Sequence, residues 1–286
     1  MLDREKQFIQ TLRECGATFG IGDDGVVLDR FIYASDGFFE GVHFKRQWGD
    51  LKRQIAKCFY VNLSDIYAMN AIPKYALLTV CIPRDFKEGK NLAKDIAQIA
   101  KQNGVLLVGG DTLIGDKLHI SLTLIGEKCK KLLYRKGIKI GDYLGYLEPK
   151  SALHLAKSQK FGKNIRHLKS ALRFNAISKN SRFFTPKLYP KMLLELNLEA
   201  KAGMDISDGI FMELSRLSKI NRIDFKILKK KGEWFYSPEE YQMLYALRKQ
   251  KIQKAKKIAL KNRHNLVIFA KAIRGKYQLK RRNWHS

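Results

Sequence analysis

The chain has 286 residues, 45% of them hydrophobic, enough to bury a sizeable core in one large or two modest domains. No apolar run reaches the ~18 residues of a membrane span, and the polar start Met1-Leu2-Asp3-Arg4-Glu5-Lys6 lacks a signal peptide's apolar segment, so a cytoplasmic protein is expected. The formal charge of +28 is unevenly placed: the first 127 residues carry 16 basic and 16 acidic side chains, the rest carry 39 and 11. In chain order, Phe8, Ile9 and Leu12 at helical spacing predict a helix over 3–15 that stops at Gly16. Residues 26–28 and 31–34 predict two short strands about Asp29-Arg30, ending at Ser35-Asp36.

A helix is expected over 50–71, with Asp50 as its N-cap. Asn62 and Asp65 are three apart and share a face of it, in a segment that is otherwise apolar. Polar groups are costly to bury there without partners. A core hydrogen bond suffices for Asn62, whereas a cation better explains Asp65. Residues 74–82 predict a strand closed by Pro83, and 88–102 a helix with Leu92, Ile96 and Ile99 on one side. Residues 105–108 predict a buried strand running into Gly109-Gly110-Asp111, where bare backbone N–H groups would face a phosphate. A further strand at 117–126 completes an α/β or α+β domain ending near Glu127.

Beyond it, Gly141-Asp142 leads into a strand at 143–147, and 151–200 reads as helical with a break near Thr185-Pro186. An amphipathic helix at 210–220, a basic helix running to about Arg263 and a closing strand at 264–272 follow. Ser237-Pro238-Glu239-Glu240 reads equally as a helix start, with Ser as N-cap and Pro at the first position, and as a ligand contact. Cys15, Cys58, Cys81 and Cys129 have neither metal-site nor redox-motif spacing and read as reduced thiols.

Five stretches set aspartates beside Gly or Ser: Gly20-Ile21-Gly22-Asp23-Asp24, Ser35-Asp36-Gly37, Asn62-Leu63-Ser64-Asp65, Gly109-Gly110-Asp111-Thr112 and Met204-Asp205-Ile206-Ser207-Asp208-Gly209. Any one alone would be an ordinary turn or cap. All but the Asn62 stretch follow an apolar run, where a strand would end and the backbone can approach a ligand. Gathered carboxylates repel one another, so a magnesium-bound polyphosphate is the natural occupant of a site built from them. Ser207 and Asp208 would lie at a helix N-terminus, which favours phosphate.

In this order, together with Glu40-Gly41-Val42-His43-Phe44, these stretches resemble the thiamine-monophosphate kinase family from about residue 20 to about residue 215. The resemblance implies an aminoimidazole-ribonucleotide-synthetase-like fold of α/β (α+β) class in two domains. Residues 1–130 would hold a mixed sheet with helices, the ATP and Mg2+ site and the surface of a homodimer. Residues 131–286 would form an α/β domain closing the active-site cleft. The implied reaction is direct in-line transfer from ATP to thiamine monophosphate, with no general base. The implied metal residues are Asp24, Ala34, Ser35, Asp36, Asp65, Asp205 and Asp208, with Asp111 serving a further ion. ATP would meet Gly109, Gly110, Ser207 and Arg135, whose planar fork suits phosphate. The thiamine end would meet His43, Glu239 and Trp284, the last by stacking. The chain departs from the family at Glu148-Pro149, where a glycine-rich turn is usual, and at Ser237-Pro238, which replaces two glycines. The alternatives are another ATP-using enzyme of the superfamily, or a nucleic-acid-binding protein that uses the basic second part and has a decayed site. Neither a membrane nor a nucleic-acid partner is expected.

Overall fold

The computed structural model describes residues 4–48, 50–147, 185–229 and 231–278. After helix α1 (Arg4–Glu14), the first sheet contains β1 (Val26–Leu28), β2 (Phe31–Phe39), β3 (Ala71–Pro83), β4 (Leu106–Gly115) and β5 (His119–Lys128), in the order β1-β2-β5-β3-β4. Its pairs are antiparallel except β3 with β4. Parallel neighbours need a long crossover, and α3 (Gly89–Gln102) supplies it, burying Leu92, Ile96 and Ile99 as their spacing requires. The alternation along β5 puts Ile120, Leu122 and Leu124 on the covered face. Against that face lies α2 (Leu51–Ala68), capped by Asp50, whose carboxylate accepts from Lys52 N at 2.9 Å.

The second sheet contains β6 (Tyr143–Leu147), β7 (Ala202–Asp205), β8 (Asp224–Ile227), β9 (Met243–Leu247) and β10 (Leu266–Ile273), in the order β7-β9-β6-β10-β8. Helix α4 (Pro190–Glu199) precedes β7, α5 (Ile210–Asn221) carries the chain from β7 to β8, the short α6 (Glu233–Tyr236) follows β8, and α7 (Ile252–Lys261) precedes β10. One apolar cluster joins Phe59, Leu63 and Ile66 of α2 to Leu193 and Leu196 of α4 and Ile258 of α7, so the core runs from one sheet to the other. A second cluster seals α5 against its own sheet through Phe211, Leu214, Leu217 and Phe269. Helix α2 also touches β7, which makes it the element shared by the two sheets.

Several expected boundaries move. Strand β2 continues through Ser35 and Asp36 to Phe39, because each of its residues finds a partner on β5. Strand β4 likewise runs through Gly109-Gly110-Asp111 to Gly115, so the glycines lie inside a strand and not in a loop beyond it. Gly110 has φ +142°, and a Cβ there would meet Leu78 O at 1.7 Å. Its missing side chain is therefore demanded by β3. Strands β8 and β9 were not anticipated. Residues 237–242 form no helix, because the chain there pairs with the segment after β7, Tyr241 N donating to Ile206 O and Ile206 N to Gln242 O at 2.8 Å each. The capping reading of Ser237-Pro238 thus gives way. The expectations for Glu148-Pro149, the helical stretch up to residue 184 and Trp284 lie outside the described residues.

Candidate active site

The site begins with α2. Asn62 is fully buried and doubly used: its amide donates to Cys58 O at 3.0 Å, and its carbonyl oxygen accepts from Asp36 N at 3.1 Å. That second bond pins β2 to the helix and brings the Asp36 carboxyl into hydrogen-bonding contact with Asp65. Two residues along, Ser64 Oγ donates to Asp205 Oδ2 at 2.9 Å, fixing the end of β7 against the same helix. Oxygen atoms of Asp24, Asp65 and Asp205 then lie within 4.8 Å of one another. These three carboxylates come from a loop, a helix and a strand, separated by up to 181 residues in sequence.

Such a cluster is electrostatically expensive. At this spacing two full charges repel by on the order of 3–4 kcal/mol at an effective dielectric near 20. Burial, and then the charges of Asp205, Asp36 and Asp24, push the Asp65 carboxyl well above the ordinary carboxylate range. Asp205 moves the same way, through burial and then Asp24 and Glu213. Asp24 is raised by burial, against the pull of Arg135. Arg135 Nε donates to Asp24 Oδ1 at 3.0 Å, a second guanidinium nitrogen meets the same oxygen, and the Arg135 backbone N donates to Asp23 Oδ1 at 2.6 Å. Arg135 pairs with Asp24 alone of the three, so the cluster suits one or more hard divalent cations, which take oxygen ligands.

The other expected residues are placed around this centre or apart from it. Asp36 adjoins the cluster, and Ala34 and Ser35 precede it on β2. Ala34 is buried and offers only its backbone, while Ser35 Oγ lies 2.8 Å from Thr123 Oγ1. Asp208 stands outside the three-carboxylate group, joined to Arg216, which also binds Glu213 at 2.6 Å. Ser207 precedes Gly209, the left-handed N-cap residue of α5 (φ +91°), at which a Cβ would lie 3.0 Å from Tyr236 O. Asp111 is exposed on β4. Its neighbour Gly110 lies in one cross-sheet row with Leu78, Leu122 and Asp36, three strand spacings or about 14 Å from the last. His43 closes the turn after β2, its Nδ1 accepting from Phe39 N at 3.0 Å. Glu239 pairs with Lys57 of α2. Sequence reasoning missed Ser64, Lys57, Glu213, Arg216 and Tyr241. Lys57 could have been found, since a lysine two helical turns before Asp65 shares its face.

Residues 22–127 match the AIR synthase related protein, N-terminal domain. The thiamine-monophosphate kinase of Leptospira interrogans is 31% identical over 201 residues, 68% of this chain and 64% of that protein. That of Corynebacterium glutamicum is 32% identical over 235 residues, 75% of this chain and 67% of that protein. The chain belongs to the thiamine-monophosphate kinase family. It thus spans about two thirds of the length of these two kinases. The solved structure of AaThiL complexed with AMPPCP and TMP superposes with a TM-score of 0.75 at 19% identity, covering 99% of this chain and 98% of that one, which places the kinase family's fold over nearly the whole chain.

Proposed function

We propose that this protein transfers the γ-phosphoryl group of ATP to thiamine monophosphate, giving thiamine diphosphate and ADP. The convergence of Asp24, Asp65 and Asp205 carries the reading, because phosphoryl transfer between two polyanions is governed by positioning and charge neutralisation. An oxygen of the acceptor's phosphate attacks the γ-phosphorus in line. The new P–O bond forms as the bond to the β–γ bridging oxygen breaks, and the electron pair leaves on ADP. The attacking oxygen is already ionised, so no side chain is assigned as general base.

The donor set fits magnesium: carboxylate oxygens of buried Asp24 and Asp205 and half-buried Asp65 within 4.8 Å of one another, with Asp36 hydrogen-bonded to Asp65. Magnesium held by Asp24, Asp65 and Asp205 would supply charge neutralisation between the two phosphates when bound. Asn62 and Ser64 keep Asp36 and Asp205 at fixed positions, so the carboxylates need little reorganisation. Ser207 at the start of α5 and Arg135 are the residues assigned to ATP, and Asp208, Asp111, Ala34 and Ser35 complete the proposed metal-side set, while Gly109, Gly110, His43, Glu239 and Trp284 complete the contacts to nucleotide and acceptor. Residues 1–130 form the ATP-binding and pairing unit and 131–286 the unit that closes over it.

A homodimer is part of the proposal. Strand β4 is the edge of the first sheet, and Leu106, Val108 and Ile114 are 65%, 55% and 59% exposed on it. An apolar edge of that kind is covered by a second strand or sheet. Among the described residues no helix is long and apolar enough to cross a membrane, and we place the protein in the cytoplasm. A coupled assay of ADP formation tests the activity: thiamine monophosphate should sustain turnover and thiamine should not. Equal rates with both, or none with either, would overturn the assignment.

A further inference from the structure

Lys57 lies on α2 two turns before Asp65 and on the same face, about 12 Å along the axis. Its side chain is 5% exposed, yet it sits at the junction of the two sheets and ends on Glu239 of the 237–242 segment. A buried lysine is held there at a desolvation cost that an aliphatic residue would not incur. Its partner is held in an unusual way as well. Glu239 has φ +56° and Tyr241 φ +47°, conformations that side-chain-bearing residues seldom adopt. Both are locked by backbone bonds to the stretch that ends β7 and starts α5: Glu239 N donates to Ser207 O at 2.5 Å, and Tyr241 N to Ile206 O at 2.8 Å. The Glu239 backbone is therefore fixed at Ser207, two residues along the chain from Asp205 and one from Asp208. Its carboxylate is also more open to solvent than Lys57, at 22% side-chain exposure. The buried Tyr241 hydroxyl is pushed well above its ordinary range by burial and then by the charges of Glu239, Asp36, Asp205 and Asp208.

We propose that Lys57 is an acceptor-binding residue, and that the Lys57–Glu239 pair occupies the place of a zwitterionic acceptor until that acceptor divides it. The inference rests on the proposed function, whose acceptor carries a terminal phosphate and, one short linker away, a cationic thiazolium ring. Lys57, the deeper member, takes the phosphate. Glu239, the more open one, takes the cationic ring. The pair neutralises itself in the empty cleft, and the acceptor satisfies each half as it enters. A ligand with only one of the two charges replaces only one half of the ion pair, so the device selects for both charges in one molecule.

The test measures acceptor affinity and KM with wild type, Lys57→Ala, Lys57→Arg, Glu239→Gln and the exchange Lys57→Glu/Glu239→Lys, using thiamine monophosphate and thiamine as probes. Lys57→Ala should weaken thiamine monophosphate about ten- to a hundredfold, leave thiamine within about threefold, and leave the KM for ATP nearly unchanged. Lys57→Arg should recover most of the loss and covers the case in which the alanine variant fails to fold. The exchange should fold but fail to restore acceptor affinity, because the positive charge then sits at the ring end. If the exchange restores affinity, or if the preference for the phosphorylated acceptor survives in Lys57→Ala and Lys57→Arg alike, the pair is a structural clasp and the inference falls. Absence of turnover in wild type would overturn the proposed function itself.

Discussion

The acid cluster and the β4 edge are both unfavourable for an isolated chain, and they are unfavourable for opposite reasons. In the cluster, three carboxylates are drawn within 4.8 Å of one another with burial raising the cost of each charge. On β4 every residue from Leu106 to Ile114 is exposed, and much of what is exposed is apolar. The first cost is Coulombic, varies with pH and is relieved by cations. The second is hydrophobic, does not vary with pH and is relieved by another protein surface. A fold that keeps both has reserved one place for charge and another for a partner.

The widest gap between the two regions should appear on removing the one arginine that supports the cluster. Arg135→Ala leaves Asp24 buried beside Asp65 and Asp205, and breaking a buried pair of this kind costs about 3–5 kcal/mol. Urea unfolding of the metal-free protein measures it, and magnesium should recover part of the loss. On β4, Ile114→Lys should shift the protein from dimer to monomer in sedimentation while its unfolding free energy changes by only about 0.5 kcal/mol. A monomeric wild type would remove the partner from the account. A smaller effect follows from titration. The folded-state values of Asp24, Asp65 and Asp205 are raised above the ordinary carboxylate range, so the folded protein holds protons that the unfolded chain has released. Their contribution to stability is present below the ordinary carboxylate value and is lost as pH rises through the raised values. Metal-free protein should thus lose stability from about pH 4 upward, an effect much reduced in the Asp65→Asn, Asp205→Asn double variant, where only Asp24 of the three remains.

Much of this was legible in the sequence. The 3.6-residue spacing of Leu92, Ile96 and Ile99 gave α3, and the isolated polar pair Asn62 and Asp65 in an apolar helix marked the centre of the site before any geometry. Asn62 proved to be satisfied by hydrogen bonds, as its chemistry allowed, and Asp65 to be crowded by like charges. What escaped was set by tertiary pairing. Glycine and aspartate signal a turn locally, yet β5 and β3 hold Ser35-Asp36 and Gly109-Gly110 in strands. Ser237-Pro238 has the letters of a helix cap, but backbone pairing of the residues that follow with 206 and 207 overrides them. The Lys57–Glu239 contact joins residues 182 apart, and no local pattern encodes it.

The most direct test titrates Mn2+ into wild type and Asp65→Asn, following bound metal by electron paramagnetic resonance, with turnover measured on the same samples. Wild type should bind the ion, and the variant should lose both binding and about 100- to 1,000-fold in rate while melting at a higher temperature when metal-free. Undiminished metal binding and turnover in Asp65→Asn would contradict the account.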